Sequence, residues 1–366
     1  MRRGILPRAC ALAAALLLLS SAPADRTVTL TFTGDCTLGS SDATRRWDSS
    51  FDSVAESRGT DWFFRRFTVL FAEDDATIIN LEGVLSDSTA GAKGRKNFRF
   101  RGRTAFARML PAASVEIAGL ANNHAEDYGK QGLADTQSAL TEAGVIWIRR
   151  LEGTVIEKDG IRVAVYAVDA AGYRREGRQL REEIARVKAA GEADAVVVIA
   201  HCGKEYVPRH YAVQTNTAKE LIDAGADLVI MHHPHVVQGV EIYRDRTICY
   251  SLGNFVFGGN TRIQSKMYYR THPATSRYGL VVRAVLHFSD DGAYIGQQIT
   301  LIPVFTSGDA SVNDYQPRPV TGDEAAKVMA CVQFDTAFAL PPCDGSDGRV
   351  RLPWLPAEAP DAPEAE

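Results

Sequence analysis

The residues best suited to chemistry in this sequence are three closely spaced histidines, His232, His233 and His235, in the segment Met-His-His-Pro-His. They directly follow the apolar run 228–231, which has the composition of a buried strand. Neutral imidazole is the most common metal ligand in proteins, and two histidines separated by one residue can face the same side. The spacing therefore predicts metal ligands at the end of a strand. A histidine-rich surface loop is the alternative interpretation.

Other polar side chains follow the remaining apolar runs of the chain. They are Asp35, Glu82, Asn123, His124 and His201. In an open α/β sheet, such residues meet outside the carboxyl ends of the strands. Together with the histidines they form a mixed nitrogen and oxygen ligand set, which suits zinc, iron or manganese, whereas calcium prefers oxygen ligands alone. We therefore predict one or two divalent metal ions at one shared site.

The elements that must position these residues alternate between strands and helices. Strands are predicted at 28–32, 76–81, 114–120, 195–200 and 228–231, and helices at 62–71, 130–143, 178–190 and 217–224. The turn Lys158-Asp159-Gly160 predicts a hairpin between 154–157 and 161–168. This alternation predicts an α/β fold. Strands dominate after residue 240, which predicts a second sheet packed on the first.

The length and composition indicate a globular protein with a full core. The chain has 366 residues, of which 45% are hydrophobic and 23% are charged. Its formal net charge of -4 provides no basic surface for nucleic acid. We therefore expect no nucleic-acid partner.

The two ends of the chain differ in composition from the central part. Three early arginines precede an apolar run at 9–19 and small residues at 20–24, a pattern typical of a secretory signal peptide over residues 1–24. We expect export to the outside of the cell or to the cell surface, with an uncleaved membrane anchor as the alternative. Residues 353–366 are rich in Pro, Ala and Glu and are predicted to be disordered.

Five cysteines follow the predicted signal peptide, and an exported chain meets oxidising conditions. Cys331 and Cys343 flank a short segment of the C-terminal extension, residues 311–352, and are the first candidates for a disulfide. Cys36 and Cys202 each directly follow a predicted site residue and are a second candidate pair. Small buried thiols are the alternative for all of them.

Four longer phrases of the chain resemble one bacterial family. Ala-Asn-Asn-His at 121–124, Gly-Ala-Asp-Leu-Val-Ile at 225–230, His-Pro-His-Val-Val-Gln at 233–238 and Tyr-Ser-Leu-Gly-Asn-Phe at 250–255 are similar to the CapA capsule-synthesis proteins, which serve poly-γ-glutamate synthesis. These proteins belong to the calcineurin-like metallophosphoesterase superfamily. The resemblance implies a metallophosphoesterase-like sandwich of two sheets flanked by helices (α/β/β/α) over residues 27–310.

The resemblance also implies a role for each motif residue. The positions of the superfamily's metal ligands are taken by Asp35, Glu82, Asn123, His201, His233 and His235. Glu82 takes the bridging position, where the wider superfamily has Asp. His124 takes the position of the histidine that acts on the leaving group, and Asp127 is placed to orient it.

One position departs from the superfamily pattern. Phosphoesterases of this superfamily usually have His two residues after the first Asp, where this chain has Thr37. One half of a two-metal site is then left with Asp35, Glu82 and His235, and the other half keeps Glu82, Asn123, His201 and His233. We expect the second half to bind metal more tightly, or to bind the only metal.

Four further residues beside the motifs are candidates for substrate contact: Glu205, Tyr206, His232 and Asn254. An exposed loop is the alternative for the first two, and a structural turn for Asn254. The alternating basic and aromatic segment 97–101 has two interpretations, a surface facing an anionic substrate or an exposed edge strand.

The resemblance implies an exported protein of capsule or poly-γ-glutamate synthesis. Its reaction would be metal-assisted hydrolysis or transfer at a phosphoester or amide bond, acting on an anionic polymer or a phosphoester substrate. A non-catalytic role is the alternative, in which the protein binds the polymer or supports a membrane-bound polymer synthase. A scavenging nucleotidase or phosphatase ranks third, because the chain shows no separate nucleotide-binding domain.

Overall fold

The computed structural model describes residues 26–92, 94, 96, 98–259, 275–308 and 312–357. The predicted signal peptide at 1–24 and the end of the predicted disordered tail, 358–366, lie outside the described residues. No helix in the described ranges is both long and apolar enough to cross a membrane.

The described part of the chain contains strands and helices in alternation. The strands are β1 (Arg26–Cys36), β2 (Ser40–Ser41), β3 (Ala76–Leu81), β4 (Val84–Leu85), β5 (Phe100–Gly102), β6 (Ile117–Gly119), β7 (Ile146–Ile148), β8 (Arg150–Lys158), β9 (Ile161–Asp169), β10 (Ala195–His201), β11 (Leu228–His232), β12 (Val240–Tyr243), β13 (Arg246–Cys249), β14 (Tyr278–Phe288), β15 (Tyr294–Phe305), β16 (Arg318–Pro319), β17 (Val350–Arg351) and β18 (Leu355–Pro356). The helices are α1 (Phe51–Arg58), α2 (Thr68–Phe71), α3 (Gly129–Glu142), α4 (Ala170–Ala189), α5 (Ala212–Asp223) and α6 (Gly322–Phe334). Two 3₁₀ helices cover Thr104–Met109 and Pro111–Ala113.

The described strands form two large sheets and one small sheet. The first has the order β16-β15-β14-β1-β3-β6-β7, with β17 and β18 also paired to β15, and the second has the order β12-β13-β11-β10-β9-β8. Strands β1, β3, β6 and β7 run parallel, as do β9, β10, β11 and β13. The carboxyl ends of these parallel strands therefore lie at one edge of each sheet, where ligand sites form in α/β proteins.

The largest hydrophobic cluster lies between the two large sheets. Val28 and Ile78 from the first sheet and Val163 and Val197 from the second are buried in it. Because neighbouring residues of a strand face opposite sides, the inward residues of both sheets pack against each other. Burial of each such side chain contributes about 1.5–3 kcal/mol of transfer free energy.

Helices cover the outer face of each large sheet. Ile79 of β3 packs in one cluster with Phe51 of α1 and Leu140 of α3. Val198 of β10 packs in another with Ile184 of α4. The layers are thus helix, sheet, sheet and helix, and the predicted α/β/β/α sandwich is confirmed.

Two predicted helices differ from the structure. Residues 62–71 were expected to be helical, but only Thr68–Phe71 is an α-helix and the preceding residues form turns. The phenylalanine side chains of this segment are buried and Trp62 is partly buried, so packing of the rings, rather than a helical repeat, explains the spacing. Helix α4 begins at Ala170, eight residues before the predicted start at 178, because Asp169 caps it by accepting the N–H of Gly172 at 3.1 Å.

The C-terminal predictions need two corrections. No disulfide joins Cys331 to Cys343 in the described residues. Cys331 points into the core from α6, where its Sγ donates to the carbonyl of Lys327 at 3.4 Å. The prediction of disorder is wrong for 353–357, because β18 pairs with β15 there. The alternative pair, Cys36 and Cys202, also remains unbridged and buried.

The interpretation of 97–101 as an exposed edge strand is wrong for Phe100 and Arg101, while residue 97 lies outside the described residues. Strand β5 begins at Phe100 and is the central strand of the small sheet, which has the order β2-β5-β4. Phe100 is buried, and its aromatic ring lies against the site described next.

Candidate metal centre

The strand ends of both large sheets meet at one point, and the predicted ligands lie there. Asp35 belongs to β1 and Glu82 directly follows β3, so the first sheet supplies both carboxylates. His201 ends β10 in the second sheet, and His233 and His235 follow β11. The register pairs His201 with His232 and Asp35 with Asn80 across neighbouring parallel strands. The topology therefore explains why residues far apart in sequence converge.

Glu82 is the buried carboxylate at the middle of this cluster. Its side chain is fully buried, and neither carboxylate oxygen has a hydrogen-bond partner among the described residues. Its Oε1 lies 3.4 Å from His201 Nε2, 3.7 Å from His235 Nε2 and 3.9 Å from His124 Nε2. Burial, helped by the nearby charge of Asp35, raises the pKa of Glu82 to about 8 against the opposing effect of His235 and His124. A buried carboxylate without a donor is costly unless a cation satisfies it.

Asp35 is equally buried but is well supported by hydrogen bonds. The amide of Asn80 donates to its Oδ1 at 2.7 Å, and His235 Nδ1 lies 3.3 Å from its Oδ2. Burial alone would raise the pKa of Asp35, but the His235 hydrogen bond and the neighbouring imidazoles outweigh it and hold the pKa well below its usual range. Asp35 is therefore present as a carboxylate ready to bind a cation.

His201 and His233 form a pair of neighbouring imidazoles beside Glu82. His201 Nε2 lies 3.1 Å from His233 Nδ1 and 2.8 Å from Asn123 Oδ1. Its other nitrogen, Nδ1, lies 3.1 Å from the amide nitrogen of Asn80. Burial lowers the pKa of both His201 and His233 to about 3, so both imidazoles are neutral, the form that binds metals.

The pKa of His235 is shifted in the opposite direction from those of His201 and His233. Burial works against its protonated form, but the attraction of Glu82 and the hydrogen bond to Asp35 are stronger and raise its pKa to about 10. Binding of a cation through this imidazole requires the loss of that proton. The backbone of the loop is unusual at both ligand positions, with φ of 100° at His233 and 56° at His235. Such conformations are uncommon outside glycine and cluster at functional sites.

Two groups of ligand atoms lie close enough to share an ion. One is Asp35, Glu82 and His201, and the other is Glu82, His233 and His235; within each group the ligand atoms are within 4.8 Å of one another. Glu82 belongs to both groups, as expected for a bridging carboxylate. The division differs from the expected one, which paired His235 with Asp35 and His201 with His233. Asn123 lies at the exposed rim of the site. The donor set of carboxylates and neutral imidazoles fits zinc, iron or manganese.

Thr37 occupies the position where the superfamily usually has a histidine ligand, and its hydroxyl is hydrogen-bonded to the backbone on both sides. Its Oγ1 donates to the carbonyl of Gly39 at 3.1 Å and accepts the N–H of Gly258 at 2.7 Å. The side chain is completely buried. Thr37 therefore fastens the loop 253–259 to the end of β1.

His124 and Asp127 form a hydrogen-bonded pair beside Glu82. His124 Nδ1 lies 2.7 Å from Asp127 Oδ2, which also accepts the backbone N–H of Phe100 at 2.9 Å. The other oxygen of Asp127 accepts from Lys96 Nζ at 2.6 Å. The ring of Phe100 packs on the imidazole of His124 at 4.7 Å between centroids. These contacts orient His124 with Nε2 towards the metal centre.

Two of the four predicted substrate contacts have structural roles instead. His232 is 2% exposed, and its Nε2 donates to the carbonyl of Thr33 at 2.9 Å, which links the two large sheets. Asn254 is 1% exposed, and its Oδ1 lies 2.9 Å from His235 Nδ1, so it supports a ligand. Neither side chain has surface left for a substrate.

The other two predicted substrate contacts lie at the rim of the site. Glu205 is exposed, and its charge weakly opposes the lowering of the pKa of His233 and adds to the raising of the pKa of His235. The ring of Tyr206 lies 5.8 Å from that of His235, with a backbone φ of 60°. Both positions are open to a molecule that approaches the centre.

Sequence reasoning assigned no role to several residues that hold the site together. Asn80 contacts Asp35 and His201, as described above, and its place two residues before Glu82 was the only signal for it. Asp335, at the end of α6, accepts from the backbone N–H of His210 at 3.1 Å and of Gly239 at 2.9 Å. The C-terminal extension thus fastens the loops that follow β10 and β11. No spacing in the sequence indicated this contact.

Comparison with known proteins agrees with this geometry. Residues 29–259 match the sequence model of a family described as bacterial capsule synthesis protein PGA_cap. The chain belongs to this family. The matched segment contains every candidate ligand from Asp35 to His235, and the resemblance noted in the sequence is confirmed.

Three relatives have names that refer to capsule or polymer synthesis. Capsule biosynthesis protein CapA of Bacillus anthracis is 30% identical over 319 residues, which cover 80% of this chain and 70% of that protein. PGA biosynthesis protein CapA of Bacillus subtilis (strain 168) is 27% identical over 268 residues, covering 68% of each chain. A probable polyglutamine synthesis accessory protein of Mycobacterium tuberculosis is 28% identical over 227 residues, covering 53% of this chain and 60% of that one.

Proposed function

We propose that this protein acts outside the cytoplasm in capsule or poly-γ-glutamate synthesis, by metal-assisted hydrolysis or transfer at an amide or phosphoester bond. The observation that carries the proposal is Glu82, a fully buried carboxylate with no hydrogen-bond donor among the described residues. Three imidazole nitrogens surround it within 3.9 Å. A divalent cation satisfies such a carboxylate, whereas a purely structural site would supply donors.

The residues that would hold the metal are Asp35, Glu82, His201, His233 and His235, with Asn123 at the rim. When bound, a divalent cation supplies Lewis-acid polarisation of the substrate and a water nucleophile at neutral pH. The chain's own groups must bind and orient the substrate and deliver a proton to the leaving group.

His124 is suited to the proton transfer. Asp127 holds Nδ1 of the ring, so the second nitrogen, Nε2, faces the centre at 3.9 Å from Glu82 Oε1. A carboxylate in this place fixes the ring orientation and stabilises the imidazolium form. Protonated at Nε2, His124 donates that proton to the departing oxygen or nitrogen of the substrate.

A second candidate function is non-catalytic binding of an anionic polymer, in support of a membrane-bound polymer synthase. Thr37 favours it, because the side chain at the usual ligand position is engaged with the backbone on both sides. The name of the mycobacterial relative, a synthesis accessory protein, is also in keeping with it.

One set of measurements separates the two functions. The full chain is purified, its metal content is measured by elemental analysis, and hydrolysis of a γ-linked glutamate oligomer and of p-nitrophenyl phosphate is assayed. His201→Ala and His233→Ala are compared with His287→Ala, whose ring packs on Trp354 and whose strand position opposes Thr27 at the far end of β1. Loss of both metal and activity in His201→Ala and His233→Ala, but not in His287→Ala, supports the enzymatic function. Polymer binding without turnover supports the accessory role.

Export is a separate part of the proposal and rests on the composition of residues 1–24. It predicts that the protein expressed in a bacterium reaches the outside of the cytoplasmic membrane. Cell fractionation with N-terminal sequencing tests it. Full-length protein in the cytoplasm alone would contradict it.

A further inference from the structure

A cavity adjoins the metal centre on the side of His201 and His233. Its volume is about 200 Å³, and its wall also includes Asn123 and the first residues of α4, Ala170 and Ala171. Pockets that hold a whole small-molecule ligand usually measure about 300–1,000 Å³. This cavity therefore has room for one chemical group of a larger substrate whose reacting bond lies at the metal.

Arg174 is the cationic side chain that lines this cavity. It is exposed, and its guanidinium forms no ion pair or hydrogen bond with any residue that the structure describes. Arginines farther along the same helix are paired with glutamates: Arg178 with Glu182 at 3.8 Å, Arg181 with Glu220 at 2.8 Å and Arg186 with Glu183 at 2.8 Å. The charge at the cavity is thus left available for a ligand.

One acidic side chain also lines the cavity, and it is already engaged. Asp169 accepts the N–H of Gly172 through Oδ1 at 3.1 Å, as the cap of α4. Its partner is therefore the helix and not Arg174. A guanidinium is permanently charged and offers paired N–H donors that match the geometry of a carboxylate or phosphate.

We infer that this cavity is a subsite for an anionic group of the substrate, the carboxylate of a γ-linked glutamate residue next to the bond that is broken, and that Arg174 binds it. Each residue of a γ-linked chain keeps its α-carboxylate, so such a group always stands beside the reacting amide. The inference rests on the proposed function, because it names the substrate of the same centre. Arg174 then selects for a polymer that is anionic at every residue.

The test measures equilibrium binding of a γ-linked glutamate oligomer to the full chain by calorimetry, without metal and with added Mn²⁺. Arg174→Gln is expected to weaken binding at least about tenfold, the effect of losing a charged hydrogen bond. Arg175→Gln is the matched control, because Arg175 is exposed on the same helix, undergoes the same charge change and does not line the cavity. It is expected to change binding by less than about twofold. Arg174→Lys keeps the charge but loses the paired donors, so binding of intermediate strength is expected.

Inorganic phosphate is the second probe. The outcomes with the two probes distinguish failure of the Arg174 subsite, of its carboxylate ligand and of the proposed function. Equal binding of the oligomer by wild type and Arg174→Gln would overturn the subsite and leave the proposed function standing. Phosphate bound in an Arg174-dependent way, with no binding of the oligomer, would overturn the carboxylate assignment in favour of a phosphoester. Wild-type protein that binds neither probe in either metal condition would overturn the polymer function together with the subsite.

Discussion

Oδ2 of Asp127 lies 2.7 Å from Nδ1 of His124, and the backbone N–H of Phe100 donates to the same oxygen at 2.9 Å. Asp127→Asn preserves the shape of the side chain but removes the charge that stabilises a protonated imidazole. We expect turnover to fall by at least about 100-fold while the metal content stays unchanged. Steady-state hydrolysis with elemental analysis checks this. Asp135→Asn is the control, because Asp135 accepts from Ser86 and Gln131 away from the centre. If Asp127→Asn were as active as wild type, the proposal that His124 donates the proton to the leaving group would be contradicted.

Glu82→Gln tests whether the buried carboxylate holds the metal. Glutamine keeps the volume of the side chain and removes its charge, so we expect metal affinity to drop at least about tenfold. The rise in melting temperature that added Mn²⁺ gives the wild type should also disappear. Glu241→Gln is a matched control, because Glu241 bonds Tyr250 and Lys219 instead. If Glu82→Gln kept the Mn²⁺-dependent rise, Glu82 would not be a ligand.

The engaged hydroxyl of Thr37 leads to a prediction about metal stoichiometry. The superfamily's usual histidine is missing at this position, so one half of a two-metal site lacks a ligand. We expect about one equivalent of metal to remain after dialysis into metal-free buffer, as found in one-metal sites with a complete ligand set. Elemental analysis against protein concentration measures it. Two full equivalents after dialysis would contradict the expectation.

Gly258 holds the loop behind the centre close to β1. A Cβ atom at this position would lie 1.9 Å from the carbonyl oxygen of Gly39, and the loop would have to move off Thr37. We expect Gly258→Ala to destabilise the protein by about 1–3 kcal/mol, as overpacking commonly does. Chemical denaturation gives the free energy of unfolding. Gly345→Ala, with no atom within 4 Å of the new Cβ, should stay within about 0.5 kcal/mol of wild type. Similar losses in both variants would show that the close approach has no energetic effect.

Asp74 makes the stability depend on pH. Burial raises its pKa from 3.8 to about 6, although the hydroxyl of Thr77 donates to it at 2.8 Å. The folded protein therefore holds this proton more tightly than the unfolded chain, so the stabilising contribution is present below pH 3.8 and is lost as the pH rises through 6. Asp74→Asn keeps an acceptor for Thr77, and we expect it to raise the melting temperature at pH 7.5 and to change it little at pH 3.5. The exposed Asp61→Asn serves as control. An equal effect at both pH values would contradict this origin.

The fold and the positions of the ligands were predictable because each apolar run ends directly at a polar residue. Glu82 and His201 follow buried runs in this way, and parallel strands bring such ends together whatever the loops between them. The layer order of helix, sheet, sheet and helix was implied by the family resemblance, and the structure confirms it.

The roles of neighbouring residues were not predictable, because they depend on partners distant in sequence. His232 and His233 are adjacent, yet the first bonds Thr33, 199 residues away, and the second faces the metal centre. Asp335 reaches His210 from 125 residues away. The early start of α4, which brings Arg174 to the cavity, depends on the cap at Asp169. A hydrophobic pattern contains no information on any of these contacts.

The carboxylates of the centre come from the first sheet and the imidazoles of His201, His233 and His235 come from the second. During synthesis, Asp35 and Glu82 therefore emerge long before the groups that complete the coordination shell. A chain that ends before residue 201 has only the two carboxylates among these ligands. The complete set forms when the second sheet packs on the first. An ion bound there would cross-link the two sheets. Removal of the ion by a chelator would then weaken the contact between the sheets before it disturbed either sheet.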